Sequence, residues 1–137
     1  MSVYVDDMLM QADVPNGGRT VRGRWSHLIA DTQEELHDFA ARLGLRRSWF
    51  QEPKGFGSLP LKPESLKAQQ WHYDVTGPKR EQAIKMGAIP VTQREMSGII
   101  RARHARLFPE AAAELERRSA ENDAKWAHLR ASADDDH

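Results

Sequence analysis

The sequence predicts an α/β protein, with a small mixed or parallel sheet of about four short strands packed by helices and a C-terminal helical extension. Three observations predict it. Short β-branched and aromatic runs alternate with segments whose apolar residues recur at helical spacing. Two of those segments open on capping-box spacing, Thr32 with Glu35 and Thr92 with Glu95. After residue 108 the chain becomes one long, charge-rich helical stretch. We read residues 1–108 as the α/β domain, 109–131 as the C-terminal helix and 132–137 as a disordered tail.

Val3-Tyr4-Val5 reads as a first strand, closed at once by Asp6 and Asp7. Residues 11–23, with Pro15-Asn16-Gly17-Gly18, read as a turn or hairpin connection, since Gly and Asn supply the positive φ such turns require. Residues 24–30 read as the second strand, with Trp25, His27 and Ile29 on one face and Ser26, Leu28 and Ala30 on the other. The first helix, Gln33 to Leu43, places Leu36, Phe39, Ala40 and Leu43 on one side and stops at Gly44.

Residues 45–51 read as a strand, completing a strand, helix, strand unit. Residues 52–63 are rich in Pro, Gly and Lys and lack periodicity, which marks a loop of functional length. A short helix over residues 63–70 leads to Trp71-His72-Tyr73-Asp74-Val75-Thr76. Pro78 suits the first turn of a second helix ending at Met86 before Gly87, with Ala83 and Ile84 inward. Residues 88–91 form a short strand. Met96, Ile99, Ile100 and Leu107 stripe the third helix, and Pro109 begins the fourth.

Composition narrows the chemistry. With 137 residues, 39% hydrophobic, the chain can bury a core unaided. It has no cysteine, which excludes disulfides, thiolate metal sites and a cysteine nucleophile. Twenty basic residues balance twenty acidic ones, so the overall field argues for neither nucleic acid nor membrane. No segment reaches the ~20 apolar residues of a span, and the N-terminus lacks the pattern of a secretory signal. The expected compartment is the cytoplasm, and the expected state a monomer or weak homodimer joined through Leu115, Trp126 and Leu129.

Val3-Tyr4-Val5-Asp6-Asp7, residues 25–32, Glu35-Leu36-His37, Leu43-Gly44-Leu45, Trp49-Phe50-Gln51, His72-Tyr73-Asp74-Val75 and Lys79-Arg80 together resemble a bacterial and phage family catalogued as domain of unknown function 4031. The resemblance covers about residues 3–91 and leaves the helices after Thr92 outside. It implies a small cytoplasmic or phage-encoded protein and carries no activity to transfer.

Polar residues gather at the predicted strand ends and helix starts, where open α/β sheets bind ligands. His27, His72, Asp74 and Asp6 are the candidate catalytic residues; Lys79, Arg80, Asp7, Trp49 and Tyr73 are the candidate ligand-binding ones. Two imidazoles and a carboxylate could hold a divalent ion that polarises a phosphoryl group, although their spacing matches no metal signature and no cofactor is assigned. The same residues could work without metal, one His as acid or base, a carboxylate orienting it, and Lys79 or Arg80 holding an anion at the start of the second helix. Structural roles compete throughout. Asp74 or Thr76 could only cap that helix, Asp31 could only start the first one, and His37 could be a partly buried, hydrogen-bonded histidine. Trp25 and Phe50 are expected in the core, His104 and His128 on the surface. The function this suggests is an enzyme acting on a nucleotide or other phosphate-bearing substrate. The alternative is a non-enzymatic accessory protein binding nucleic acid or protein through Arg94, Arg101, Arg103 and Arg106.

Overall fold

The computed structural model describes residues 2–7, 10–16 and 19–135. Five strands, β1 (Val3–Val5), β2 (Met10–Asn16), β3 (Arg19–Ala30), β4 (Tyr73–Thr76) and β5 (Ile89–Pro90), form one mixed sheet. β3 is its spine. Leu28 pairs with Val5 of β1 and with Tyr73 of β4, and Trp25 pairs with Met10 of β2 and with Thr76 of β4. A strand has two edges, so β1 and β2 lie in succession along one edge of β3 and β4 occupies the other. β5 adds to the free edge of β1 in parallel, and the other pairings are antiparallel.

The stretch read as a connection is therefore mostly strand: β2 and the first part of β3 pair from Met10 with Trp25 to Asn16 with Arg19. Pro15, which has no N–H to donate, is tolerated because β2 pairs, among the described residues, with β3 alone. The turn expected at residues 17 and 18 lies outside the described residues.

Among the described residues, four helices pack on the sheet and on one another: α1 (Gln33–Leu43), α2 (Gly77–Lys85), α3 (Gln93–Leu107) and α4 (Pro109–Asp135). At α1 the Thr32 hydroxyl accepts from the Glu35 N–H, and Gly44, at φ 88°, donates back to the last turn. At α3 the full reciprocal box forms between Thr92 and Glu95. Leu36, Phe39, Ala40 and Leu43 of α1 and Ala83 of α2 are buried with Val3, Val5, Leu28, Ala30, Tyr73 and Val75, the residues of one sheet face. Stripping a buried methyl-rich side chain from such a core costs about 2 to 5 kcal/mol.

Residues 45–51 do not make a strand. Leu45 is buried and Trp49 and Phe50 pack against the core, yet the backbone turns through a 3-10 segment at Arg47–Trp49. Only Gln51 pairs, bridging His72. The 63–70 region holds a single 3-10 turn, Lys67–Gln69. On α3, Met96 is buried but Leu107 is 53% exposed; Arg103 and His104 are buried in its place. The expectation of a surface His104 is thus corrected. Its ring Nε2 meets the Glu64 carbonyl at 2.8 Å, since the segment before β4 folds over that side of α3. α4 packs on α3 and continues to Asp135, past the end expected at residue 131, while residues 136 and 137 lie outside the described residues. No helix among the described residues is long and apolar enough to cross a membrane.

Candidate functional site

Register builds the site. In the β3/β4 pair His27 stands directly opposite Asp74, and His72, two residues before Asp74, shares its side. Leu28 and Ala30 on β3, and Tyr73 and Val75 on β4, take the core face. His27, His72 and Asp74 therefore turn away from the core together.

The His27 Nε2 lies 3.9 Å, and the His72 Nε2 3.5 Å, from one Asp74 carboxylate oxygen. The two rings meet edge to face with centroids 4.8 Å apart. One donor atom from each of the three residues falls within 4.8 Å of the others. Atoms held ~2.1 Å from a common ion in tetrahedral geometry stand about 3.4 Å apart. The observed triangle is thus a little more open than that.

Each of the three is braced from behind. The backbone N–H of His27 donates to one Asp6 carboxylate oxygen at 2.9 Å, and its ring Nδ1 meets the other at 2.8 Å. The ring Nδ1 of His72 meets the Gln70 carbonyl at 2.9 Å. The Gln51 side-chain amide donates to the second oxygen of Asp74. In the neutral form of each ring these acceptors hold the proton on Nδ1 and leave Nε2, the nitrogen nearer Asp74, free to ligate, the arrangement that suits imidazole ligands. Protonation follows the same contacts. The hydrogen bond to Asp6 raises the His27 pKa above its ordinary value of 6.5 against the opposing pull of burial. Burial lowers that of His72, in spite of the Gln70 carbonyl and the nearby Asp74 charge.

A cleft of about 420 Å³ opens beside the histidines. Its apolar wall comes from Ile29, Met96 and Ile100, and its one lysine is Lys67. Polar groups converging on a partly apolar concavity are the usual make-up of a small-molecule site.

The other sequence candidates lie elsewhere. Asp6 is fully buried behind His27. Asp7 accepts from the Gln93 N–H at 3.0 Å and so ties β1 to the start of α3. Lys79 donates to the Leu43 carbonyl at 2.8 Å, closing the C-terminal end of α1, and Arg80 donates through Nε to the Asp6 carbonyl at 2.8 Å. Tyr73 is buried on the core side of β4, where its hydroxyl meets His37 Nδ1 at 2.8 Å. His37 is thus half-buried and hydrogen-bonded, as its position on α1 suggested. Trp49 is half-buried against the core. Asp31 receives the Ser2 N–H and the Tyr4 hydroxyl rather than capping α1. Thr76 sits at the start of α2 without a side-chain cap. The arginines of α3 do not form one exposed face: Arg103 is buried, donating to the Ala30 and Gln69 carbonyls at 2.6 and 2.7 Å and lying 4.0 Å over the Trp71 ring.

Sequence reasoning missed Gln51 and Gln70. Gln70 acts through its backbone, which no side-chain pattern reveals. Gln51 was legible only as the end of an apolar run.

The family model described as Protein of unknown function (DUF4031) matches residues 3–103. The match extends past Thr92 and takes in most of α3, farther than the sequence motifs alone reached. No curated protein and no solved structure matches the chain.

Proposed function

We propose that this chain, which belongs to the family Protein of unknown function (DUF4031), is an enzyme that holds a divalent metal ion on His27, His72 and Asp74. We take its substrate to be a nucleotide or another phosphate-bearing molecule. The observation that carries the reading is the meeting of two Nε2 atoms and one carboxylate oxygen, each ligand held from behind by a separate partner: Asp6, the Gln70 carbonyl and Gln51. Such outer contacts fix the tautomer and orientation of metal-binding histidines and raise their basicity.

Two imidazoles with one carboxylate suit zinc, iron, manganese or cobalt and leave coordination positions open. An ion there supplies Lewis acidity toward a phosphoryl oxygen and an activated water at neutral pH. The chain's own residues do the rest. Asp6 keeps His27 in the Nδ1–H form, Gln51 leaves one Asp74 oxygen facing the histidines, and Ile29, Met96 and Ile100 exclude water from one side of the cleft. Lys67, exposed at the cleft, offers the positive charge that an anionic substrate needs, in place of Lys79 and Arg80, which bind main-chain carbonyls.

The test is calorimetric titration of the chelator-treated chain with Zn²⁺, Mn²⁺ and Co²⁺, joined to a hydrolysis screen on phosphomonoesters and phosphodiesters. We expect one ion per chain, loss of binding in His72→Ala and Asp74→Ala, and turnover that chelation removes and metal restores. Absence of binding for all three ions, or turnover indifferent to chelator, overturns the proposal.

A further inference from the structure

The cleft beside His27 and His72 does not end at Glu52 and Pro53. Those two residues also line a second, larger cleft of about 670 Å³, so the two adjoin. One stripe of α3 runs along both. Gln93, Met96, Ser97 and Ile100 border the first, and Arg103, Arg106 and Leu107 border the second, at the spacing of a single helix side. The opposite bank of the second cleft comes from the Pro- and Gly-rich loop, through Lys54, Pro60 and Leu61. That loop has the length and composition of a binding loop.

Charge in the second cleft is arranged for an anion. Lys54 and Arg106 are exposed and form no ion pair among the described residues. Arg103 adds a fixed positive charge from beneath, held by two carbonyls and stacked on Trp71. Of the two carboxylates present, Asp31 already receives the Ser2 N–H and the Tyr4 hydroxyl, and Glu52 stands at the junction with the first cleft. Two residues beyond Lys54, Phe56 is 96% exposed and gives nothing to the core. An exposed aromatic ring in the loop that carries Lys54 is what a nucleobase stacks on.

Distance decides between ligands. From Ser97, beside the histidines, to Arg106 is nine residues of helix, about 14 Å at ~1.5 Å per residue. At ~3.4 Å per stacked nucleotide this is about four nucleotides, too far for the contiguous phosphates of one mononucleotide to span. We infer that the joined clefts bind a short single strand of nucleic acid, one phosphate lying at His27, His72 and Asp74, another at Lys54 and Arg106, with a base against Phe56. This deepens the metal-site reading above and rests on it for the position of the first phosphate.

The experiment uses the full chain, a fluorescently labelled oligothymidylate of about eight nucleotides and fluorescence anisotropy over a range of salt, with Mn²⁺ binding followed separately by calorimetry. The double variant Lys54→Glu/Arg106→Glu should bind the oligonucleotide at least ~10-fold more weakly and flatten the dependence of log affinity on log salt by about 0.7, the share of the one phosphate held there. Phe56→Ala should weaken binding by roughly 5- to 100-fold with the salt slope unchanged. All three side chains are exposed, so thermal melts should match the parent, and Mn²⁺ affinity should not move. An oligonucleotide affinity unaltered in these variants overturns the inference. So does no binding by the parent at low salt while Mn²⁺ binds normally, an outcome that leaves the metal centre standing. Oligonucleotide binding that depends on Lys54 and Arg106 in a chain that takes no metal would instead sink the metal reading and keep the groove.

Discussion

Asp6→Asn perturbs the brace behind His27 with almost no change in volume. In the native site both Asp6 oxygens accept, one from the His27 backbone N–H at 2.9 Å and one from the ring Nδ1 at 2.8 Å. An asparagine has one acceptor and one donor in the same place. If its oxygen stays on the backbone N–H, its NH₂ group faces Nδ1 and drives the ring proton to Nε2, which then cannot bind metal. If the amide flips, Nδ1–H is satisfied and two donors confront each other at the backbone. Either way one hydrogen bond to an ionised group is lost, about 1.5 to 3 kcal/mol. At ~1.4 kcal/mol per decade that corresponds to roughly 10- to 150-fold weaker metal binding, and it agrees with the 10- to 100-fold range typical of outer ligand partners. The assay is Co²⁺ titration of chelator-treated chain, with a circular dichroism melt to confirm folding. A folded Asp6→Asn chain that binds Co²⁺ within ~3-fold of the parent would refute the claim that Asp6 sets the tautomer of His27.

Three further outcomes follow from contacts described above. His37 has its pKa lowered from 6.5, mainly by burial, so the folded state prefers the neutral ring. Its contribution is complete above pH ~6.5 and is lost as pH falls from there through the lowered folded value; urea melts between pH 7.5 and 5.5 should therefore lose stability more steeply for the parent than for His37→Gln, and a steeper loss in the variant would contradict this. Arg103→Ala removes the donors to the Ala30 and Gln69 carbonyls and should destabilise by about 2 to 4 kcal/mol in urea titration, a cost below ~0.5 kcal/mol showing that water replaces the guanidinium. Leu36→Ala should cost about 2 to 5 kcal/mol by the same measurement and leave metal affinity unchanged, because Leu36 faces the side of the sheet opposite the histidines.

Local signals in the chain carried the helices well. Thr32 and Gly44 bound α1, and Thr92 with Glu95 starts α3, because caps are satisfied within a few residues of themselves. Strand faces were legible for the same reason: alternation alone separates Trp25, His27 and Ile29 from Leu28 and Ala30. Residues 45–51 misled because burying Leu45, Trp49 and Phe50 demands only that they reach the core, and a 3-10 turn does this as well as a strand. Arg103 misled in the opposite direction, since a charge reads as surface unless the two carbonyls that hold it, 73 and 34 residues away, are known. The candidate site was half legible. The residue types and their places at strand ends were in the sequence, but the gathering of His27 with Asp74 depends on pairing between segments 47 residues apart, and the ties of Lys79 and Arg80 to the carbonyls of Leu43 and Asp6 are equally remote.

The pairing of Ser26 with Val75 and of His27 with Asp74 separates two jobs that share a strand. Sliding β4 along β3 by a single residue would carry Asp74 to the hydrophobic side and bring Tyr73 out, so an insertion or deletion inside either strand would dismantle the proposed metal ligands and the interior together. The stretch between Pro53 and Pro63 lies outside that ladder. Its length is accordingly open to change, and with it the reach and taste of whatever lies along α3, while the three donor atoms stay where the ladder sets them.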